Sequence, residues 1–259
     1  MGTYAVTGSA SGIGAAVARR ISDEGHRVIG VDLHGADVVG DLATTEGREA
    51  AVAGVADAAG GSLDGLVACA GIGGSTGAPS GLVARVNYFG AVATLEGLRP
   101  SLSVGERPAA VVISSNSATM LPLEGDDDGS TLVDLLLAGD EAAAGAFADT
   151  LDGELVYMRA KLALTRRLRR WAPEWAAAGI RLNAVAPGPV LTELTRRALE
   201  HPLTGPAIRE LPVPMDRWGE PEEIAAAVWF LLHGGGSFVH GSVLFVDGGT
   251  DALIRPDSF

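Results

Sequence analysis

Short apolar runs rich in β-branched residues alternate with stretches whose apolar positions recur every three or four residues, and this rhythm holds along nearly the whole chain. Thr3–Thr7 reads as a strand ending at Gly8, after which Ile13, Val17 and Ile21 follow at helical spacing. Strands are expected at 27–31, 36–39, 63–68, Ala109–Ile113, 180–185 and Val243–Val246. Helices are expected at 45–59, 83–98, 157–171 and Pro221–Leu232, the last with Pro221 suitably placed in its first turn. The run at 63–68 is continuously apolar, as in a strand covered on both faces, so the sheet should be parallel.

Two segments break the rhythm. Residues 119–153 hold the acidic run Asp126, Asp127, Asp128 before Gly129, a leucine-rich piece at 132–137 and a helical pattern at 141–151. This reads as an insertion whose acids face water while its leucines pack as a lid or partner surface. Residues 189–215 gather Pro202, Pro206, Pro212 and Pro214 around a short helical pattern at 191–199. A long segment over the carboxyl edge of a sheet is the usual form of a substrate lid, and Leu191, Leu194, Leu199, Leu203 and Ile208 would give it an apolar lining.

At 259 residues with 47% apolar and 20% charged composition, the chain is expected to be a single globular domain spanning 1–259. A net charge of −13 argues against nucleic acid and anionic membrane as partners, since both repel an acidic surface. Cys69 is the single cysteine and the five histidines lack metal-ligand spacing, so neither a disulfide nor a metal is expected. No signal peptide is expected before the first strand, since Thr3–Thr7 already reads as part of the fold, and apolar runs such as 225–232 are too short to span a bilayer. Met1-Gly2 starts like a myristoylation site, but Val6 stands where Ser or Thr is needed. A cytoplasmic location is expected.

Candidate chemistry lies where the expected strands end. The turn Gly8-Ser9-Ala10-Ser11-Gly12-Ile13-Gly14 lets backbone amides and a helix N-terminus approach a pyrophosphate, although such a turn can also be only a tight connection. Asp32 closes the second strand about twenty residues later, where a carboxylate accepts ribose hydroxyls and repels a 2′-phosphate. No Arg or Lys follows it to neutralise a phosphate, which favours NAD over NADP. Asp41 can meet the adenine edge or cap the next helix. Cys69 reads as a small buried residue beside the cofactor. Ser115 ends the fifth strand, where its hydroxyl can donate to a carbonyl oxygen or satisfy its own turn. Tyr157 and Lys161 lie four apart on one helix face. Two unit charges about 4 Å apart attract by about 4 kcal/mol at an effective dielectric of about 20, enough to move a phenol down by about three pKa units before desolvation is subtracted. A Tyr that packs and a Lys that is solvated would give the same spacing.

Taken together, Thr7-Gly8-x3-Gly12-x-Gly14, Asp32, Asp41, Ala70-Gly71, Asn87, Ser115, Tyr157-x3-Lys161 and Pro187-Gly188-x3-Thr192 resemble the short-chain dehydrogenase/reductase family. The resemblance implies a Rossmann-like doubly wound parallel α/β sheet of about seven strands with helices on both faces. Within that family the chain is similar to the bacterial 3α-hydroxysteroid dehydrogenase/carbonyl reductase group, through Cys69-Ala70-Gly71, Val86-Asn87-Tyr88-Phe89-Gly90, the long insertion and Asp251-Ala252-Leu253-Ile254-Arg255-Pro256. It implies that Tyr157 transfers the hydroxyl or carbonyl proton, Ser115 holds that oxygen, Lys161 lowers the phenol's pKa and binds the nicotinamide ribose, and Asn87 links Lys161 to solvent through a water. The implied cofactor is NAD, held by Gly8, Ser11, Gly12, Ile13, Gly14, Asp32, Asp41, Leu42, Cys69, Ala70, Gly71, Tyr157, Lys161, Pro187, Gly188, Val190 and Thr192. The implied reaction is hydride transfer between NAD(H) and a secondary alcohol or ketone, with a 3α-hydroxysteroid or another bulky apolar carbonyl compound as substrate and a homodimer or homotetramer as the working form. A coniferyl-type alcohol dehydrogenase and a non-catalytic NAD-sensing regulator are the alternatives. An extended-type sugar-nucleotide epimerase shares Tyr-x3-Lys but needs a longer chain and a different glycine spacing. Two departures stand out: Cys69 replaces the family's common asparagine, and the stretch from Ser115 to Tyr157 is far longer than usual. The insertion is therefore expected to cover the helix face often used for dimerisation, moving any self-association to the C-terminal region.

Overall fold

In the computed structural model, which describes residues 1–120, 129–200 and 204–258, seven parallel strands form one sheet in the order β3-β2-β1-β4-β5-β6-β7. The strands are β1 (Thr3–Thr7), β2 (Arg27–Asp32), β3 (Val38–Val39), β4 (Gly65–Ala68), β5 (Ala109–Ile113), β6 (Arg181–Pro187) and β7 (Val243–Val246). Their side chains alternate between two cores. Ala5, Leu66, Ala68, Ala110 and Val112 face one, and Tyr4, Val6, Val67, Val111 and Ile113 face the other. Val111 and Val112 are each 0% exposed, and burial of a valine side chain contributes about 1.5–3 kcal/mol. This explains why β4 and β5 carry no polar residue.

The helices follow from the same pattern. On the first face, α2 (Thr45–Ala58), α4 (Ala91–Ser103) and α7 (Gly153–Ala177) pack, and on the other lie α1 (Gly12–Asp23) and α10 (Pro221–Leu232). Strand order reverses between β1 and β4, so the chain leaves the sheet in opposite directions there and opens a crevice above the strand ends.

Several elements differ from the sequence expectation. The strand expected at 36–39 shortens to Val38–Val39, because Asp37 uses its carboxylate to accept from Gly30 N at 2.8 Å. The helix expected at 83–98 is three pieces: α3 (Ser80–Ala84), a π-helical turn at Arg85–Gly90, and α4. Asp41 does not cap α2. Its Oδ1 accepts from Ala43 N at 2.9 Å, while Thr44 Oγ1 accepts from Gly47 N at 3.0 Å and is the cap.

The insertion folds into α5 (Ser130–Ala138) and α6 (Glu141–Ala148), and its leucines are core rather than lid. Leu132, Val133, Leu136 and Leu137 are buried in the cluster that includes Val156, Ala160, Ala163 and Leu164 of α7. The lid region carries α8 (Glu193–Glu200) and α9 (Thr204–Arg209), with Leu191 38% exposed. The acidic run at 126–128, Pro202 and Leu203 lie outside the described residues, as does the side chain of Leu194. The last element is α11 (Thr250–Ile254). Among the described residues no helix is long and apolar enough to cross a membrane, and no cluster of His, Cys, Asp or Glu could hold a metal ion.

Candidate active site

The crevice above the strand ends is a cleft of about 600 Å³, and every site residue expected from the sequence lines it. At its base, Gly8 and Gly12 hold φ of +70° and +52°, values that favour glycine. A Cβ on Gly8 would come within 2.9 Å of Ala70 Cα, so the ends of β1 and β4 touch through bare backbone. Thr7 Oγ1 fixes that contact by accepting from Cys69 N at 3.0 Å and Ala70 N at 3.1 Å. At Gly14 a Cβ would collide with the Gly8 carbonyl, which brings the start of α1 down onto the turn. The N-cap Ser11 side chain bonds no α1 amide, and no acid occupies the first turn of α1. That leaves a helix N-terminus facing the cleft with the polarity an anionic pyrophosphate needs.

Asp32 stands at the next strand end. Its Oδ2 accepts from Ala10 N at 3.0 Å and its Oδ1 from Leu33 N at 2.7 Å, so the glycine turn and the carboxylate orient each other. Gly40 N donates to Asp32 O at 3.1 Å, which carries the chain on to Asp41 and Leu42 at the same end of the cleft. Opposite in the strand order, β6 delivers Pro187 and Gly188. A Cβ on Gly188 would come within 2.7 Å of Asp247 Cα, and Gly188 N donates to Val246 O at 3.1 Å. Val190 is 4% exposed, and Thr192 lies 3.5 Å from where a Gly12 Cβ would be. This cradle fits a dinucleotide.

At the other end, α7 presents Tyr157 and Lys161 on one face. Its N-terminus is set by Asp152, whose Oδ1 accepts from Glu154 N at 2.9 Å. Lys161 is 4% exposed, with Nζ donating to Ile113 O at 2.9 Å and lying 5.7 Å from the centre of the Tyr157 ring. Ser114 Oγ and Thr165 Oγ1 share a 2.6 Å hydrogen bond, and Thr165 Oγ1 donates to Lys161 O at 2.8 Å. The end of β5 is thereby bolted to α7.

Asn87 sits in the π-helical turn, a feature common at functional sites. Its Nδ2 donates to Ile72 O at 2.8 Å and Val83 O at 2.9 Å, which fixes the side-chain orientation. Its Oδ1 is buried and has no hydrogen-bond partner. A Cβ on Gly71 would meet that oxygen at 2.6 Å and Lys161 Nζ at 3.5 Å, so the two polar atoms share one small space that only glycine leaves open. A buried acceptor without a partner is costly, and here it waits beside an ammonium with donors to spare.

Electrostatics correct one expectation. Burial pushes the Tyr157 phenol up to about 12, opposed by its hydrogen bond with Ser115, and burial pushes Lys161 down to about 8. The upward shift of the phenol runs against the direction expected from helical spacing, and burial of the phenol is its largest cause. Burial also pushes the Cys69 thiol up to about 12, so it is inert.

Ser117 is a site residue the sequence reasoning missed. Ser115 Oγ accepts from Ser117 N at 3.2 Å and from Ser117 Oγ at 2.9 Å. Both lone pairs of Ser115 are thus filled, and its own proton is left for Tyr157 or a substrate oxygen. The Ser-x-Ser spacing at the end of a strand was the available signal. Ser117→Ala should lower kcat about three- to tenfold, the worth of one such hydrogen bond, with the KM for cofactor unchanged. Steady-state kinetics with each substrate varied would check it, and an unchanged kcat would refute it. The carbonyl of Ile113 was also missed, since backbone acceptors leave no trace in a motif.

Comparison with known proteins agrees with the geometry. The short chain dehydrogenase profile matches residues 3–124, and a profile described as enoyl-(acyl carrier protein) reductase matches 144–251. The chain is 41% identical over 262 residues to the 3-alpha-hydroxysteroid dehydrogenase/carbonyl reductase of Comamonas testosteroni, with 100% of both chains covered. It is 32% identical over 254 residues to the galactitol 2-dehydrogenase (L-tagatose-forming) of Cereibacter sphaeroides, covering 95% of this chain and 93% of that one. Among solved structures, the 3-alpha-hydroxysteroid dehydrogenase of Pseudomonas sp. B-0831 complexed with NADH superposes with a TM-score of 0.95 at 48% identity, covering 99% of this chain and 100% of that one. Sequence, sheet order and cleft thus converge, and the chain belongs to the short-chain dehydrogenase/reductase family, oxidoreductases that use a nicotinamide cofactor.

Proposed function

We propose that the protein reversibly oxidises a secondary alcohol to a ketone with NAD, and that its substrate is a 3α-hydroxysteroid or another bulky apolar carbonyl compound. The observation that carries this reading is the convergence of Ser115, Tyr157, Lys161 and Asn87 on one cleft that also fits a dinucleotide. The two hydroxysteroid dehydrogenases that resemble the chain along its whole length support the substrate class. When bound, the nicotinamide cofactor supplies the hydride acceptor or donor.

The chain's own residues then manage the proton and the orientation. Tyr157 exchanges a proton with the substrate oxygen, acting as acid for a carbonyl and as base for an alcohol. Ser115, its lone pairs filled by Ser117, donates to that same oxygen. Lys161 stabilises the phenolate as it forms and holds the nicotinamide ribose, and Asn87 Oδ1 accepts the hydrogen bond of a water on Lys161. Asp32 holds the adenosine ribose, while Thr192 and the backbone of Val190 hold the carboxamide. The lone cysteine suits a cytoplasmic enzyme.

Self-association is proposed through the C-terminal region, where Phe230, Phe238 and Leu253 are exposed beside the edge strand β7. A scattering model with its interface on α7 would remove that idea. The activity is tested by following NADH formation from NAD with a panel of 3α-hydroxysteroids, aryl allylic alcohols and polyols. The hydroxysteroids should turn over fastest. Turnover restricted to polyols would overturn the substrate class, and none on any alcohol would favour an NAD-sensing regulator.

A further inference from the structure

Arg48 is an arginine in the first turn of α2 that is only 6% exposed. A guanidinium stays charged at any ordinary pH, so a buried one needs partners on every side. One partner comes from 93 residues away in the sequence. Glu141, in the first turn of α6, receives Arg48 Nη1 on Oε1 at 3.1 Å and Nη2 on Oε2 at 2.6 Å. This is the two-pronged geometry that makes an arginine–carboxylate pair both strong and directional. Glu141 is held in turn: Asp140 caps α6 through Ala143 N at 3.0 Å, and the N-terminus of that helix favours a carboxylate.

The same two nitrogens also bond the start of α2 and the loop before it. Nη2 donates to Thr45 Oγ1 at 3.1 Å, and Nη1 donates to Leu42 O at 3.4 Å. Leu42 lines the cleft with Asp41 and is 6% exposed. Against it stands Gly90, the last residue of the π-helical turn, where a Cβ would come within 3.0 Å of Leu42 Cβ and 3.2 Å of Leu42 O. Leu42 therefore touches both the turn that carries Asn87 and an arginine whose carboxylate partner the insertion supplies.

We propose that Glu141 is a positioning residue for the adenosine half of the cofactor, acting through Arg48 on the loop at 40–44. The insertion then does more than add helices to the core: α6 supplies the outer brace of the adenosine pocket. Without the Glu141 carboxylate, Arg48 turns toward water, its bonds to Leu42 O and Thr45 Oγ1 go with it, and the loop is no longer preorganised to receive a ligand. This inference rests on the proposed dinucleotide site.

The test is calorimetric titration of the full chain with ADP-ribose, which lacks the nicotinamide, alongside steady-state kinetics with NAD. Glu141→Gln should weaken ADP-ribose binding about tenfold and raise the KM for NAD by a similar factor, while kcat at saturating cofactor stays within about twofold. Arg48→Met, a neutral chain of similar length, guards against simple failure to fold. The Arg48→Met/Glu141→Gln pair should be no worse than the weaker single variant, because both remove one coupled unit. Asp149→Asn is the control. It takes the charge out of a different insertion contact, the 2.7 Å bond from Gly81 N, and should leave ADP-ribose affinity where it was. A fall in kcat with ADP-ribose affinity unchanged, additive effects in the pair, or equal weakening by Asp149→Asn would each overturn the proposal. Failure of the parent protein to bind ADP-ribose would instead overturn the dinucleotide site itself.

Discussion

Replacing Tyr157 with Phe should lower kcat about a thousandfold, within the range that positioned acid–base groups contribute and equivalent to about 4 kcal/mol of transition-state stabilisation. The substitution removes one oxygen and little else. The ring keeps its place on α7, 5.7 Å from Lys161 Nζ, and Lys161 keeps its bond to Ile113 O. What disappears is the proton that Tyr157 is proposed to exchange with the substrate oxygen and the group that Ser115 hydrogen-bonds. Cofactor affinity should therefore stay within a few-fold while kcat collapses, a split that general unfolding would not produce.

The pH dependence carries the same logic with a definite sign. At neutral pH the phenol, pushed up to about 12 by burial, is protonated and can serve as the acid for carbonyl reduction. Lys161, pushed down to about 8, is an ammonium below that pH and neutral above it. Reduction should accordingly slow as pH rises through about 8, where the cation that stabilises the forming phenolate is lost, and the residual activity of the Phe variant should show no such decline. Turnover by Tyr157→Phe within tenfold of the parent would sink the assignment of the acid.

The sheet was legible because its signal is coarse. A strand such as Ala109–Ile113 is apolar at every position, and the chemistry-bearing residues stand at the carboxyl ends of such runs, where the crevice must form. That the expected residues would line one cleft was legible for the same reason. What the sequence hid depends on summed three-dimensional effects. The pattern at 83–98 keeps its apolar face across the π-helical turn, so the widening at Arg85–Gly90 leaves no mark in the periodicity, although it is what carries Asn87. The four-residue spacing of Tyr157 and Lys161 announces an attraction but says nothing of how deeply both are buried, and burial sets the direction of both shifts. Asp41 and Thr44 are both acceptable helix caps by type, and only the backbone path gives the role to Thr44. The leucines at 132–137 advertise an apolar surface without naming α7 as its partner. Arg48 and Glu141 lie 93 residues apart, and nothing in the sequence pairs them until α6 is brought to the first turn of α2.

Asp32 should set cofactor choice, and its charge should be separable from its hydrogen bonds. Both carboxylate oxygens are already engaged, with Ala10 N at 3.0 Å and Leu33 N at 2.7 Å, so the group is fixed at the end of β2 and cannot swing away from a bulky neighbour. A 2′-phosphate placed where the ribose hydroxyls belong would bring negative charge to roughly 5 Å, and each unit of it is repelled by about 3 kcal/mol at an effective dielectric of about 20. The residues that follow, Leu33, His34 and Gly35, include no Arg or Lys to offset this. The parent protein should thus prefer NAD to NADP by at least about a hundredfold in kcat/KM, since every 1.4 kcal/mol is a factor of ten. Asp32→Asn keeps an oxygen that can accept from Ala10 N and removes the charge. It should improve kcat/KM for NADP about tenfold or more while weakening NAD by losing a charge-assisted bond to the ribose. The two cofactors, run side by side on parent and variant, decide the matter: equal efficiency with NADP and NAD in the parent, or an Asn variant whose preference has not moved, would remove Asp32 as the discriminating group.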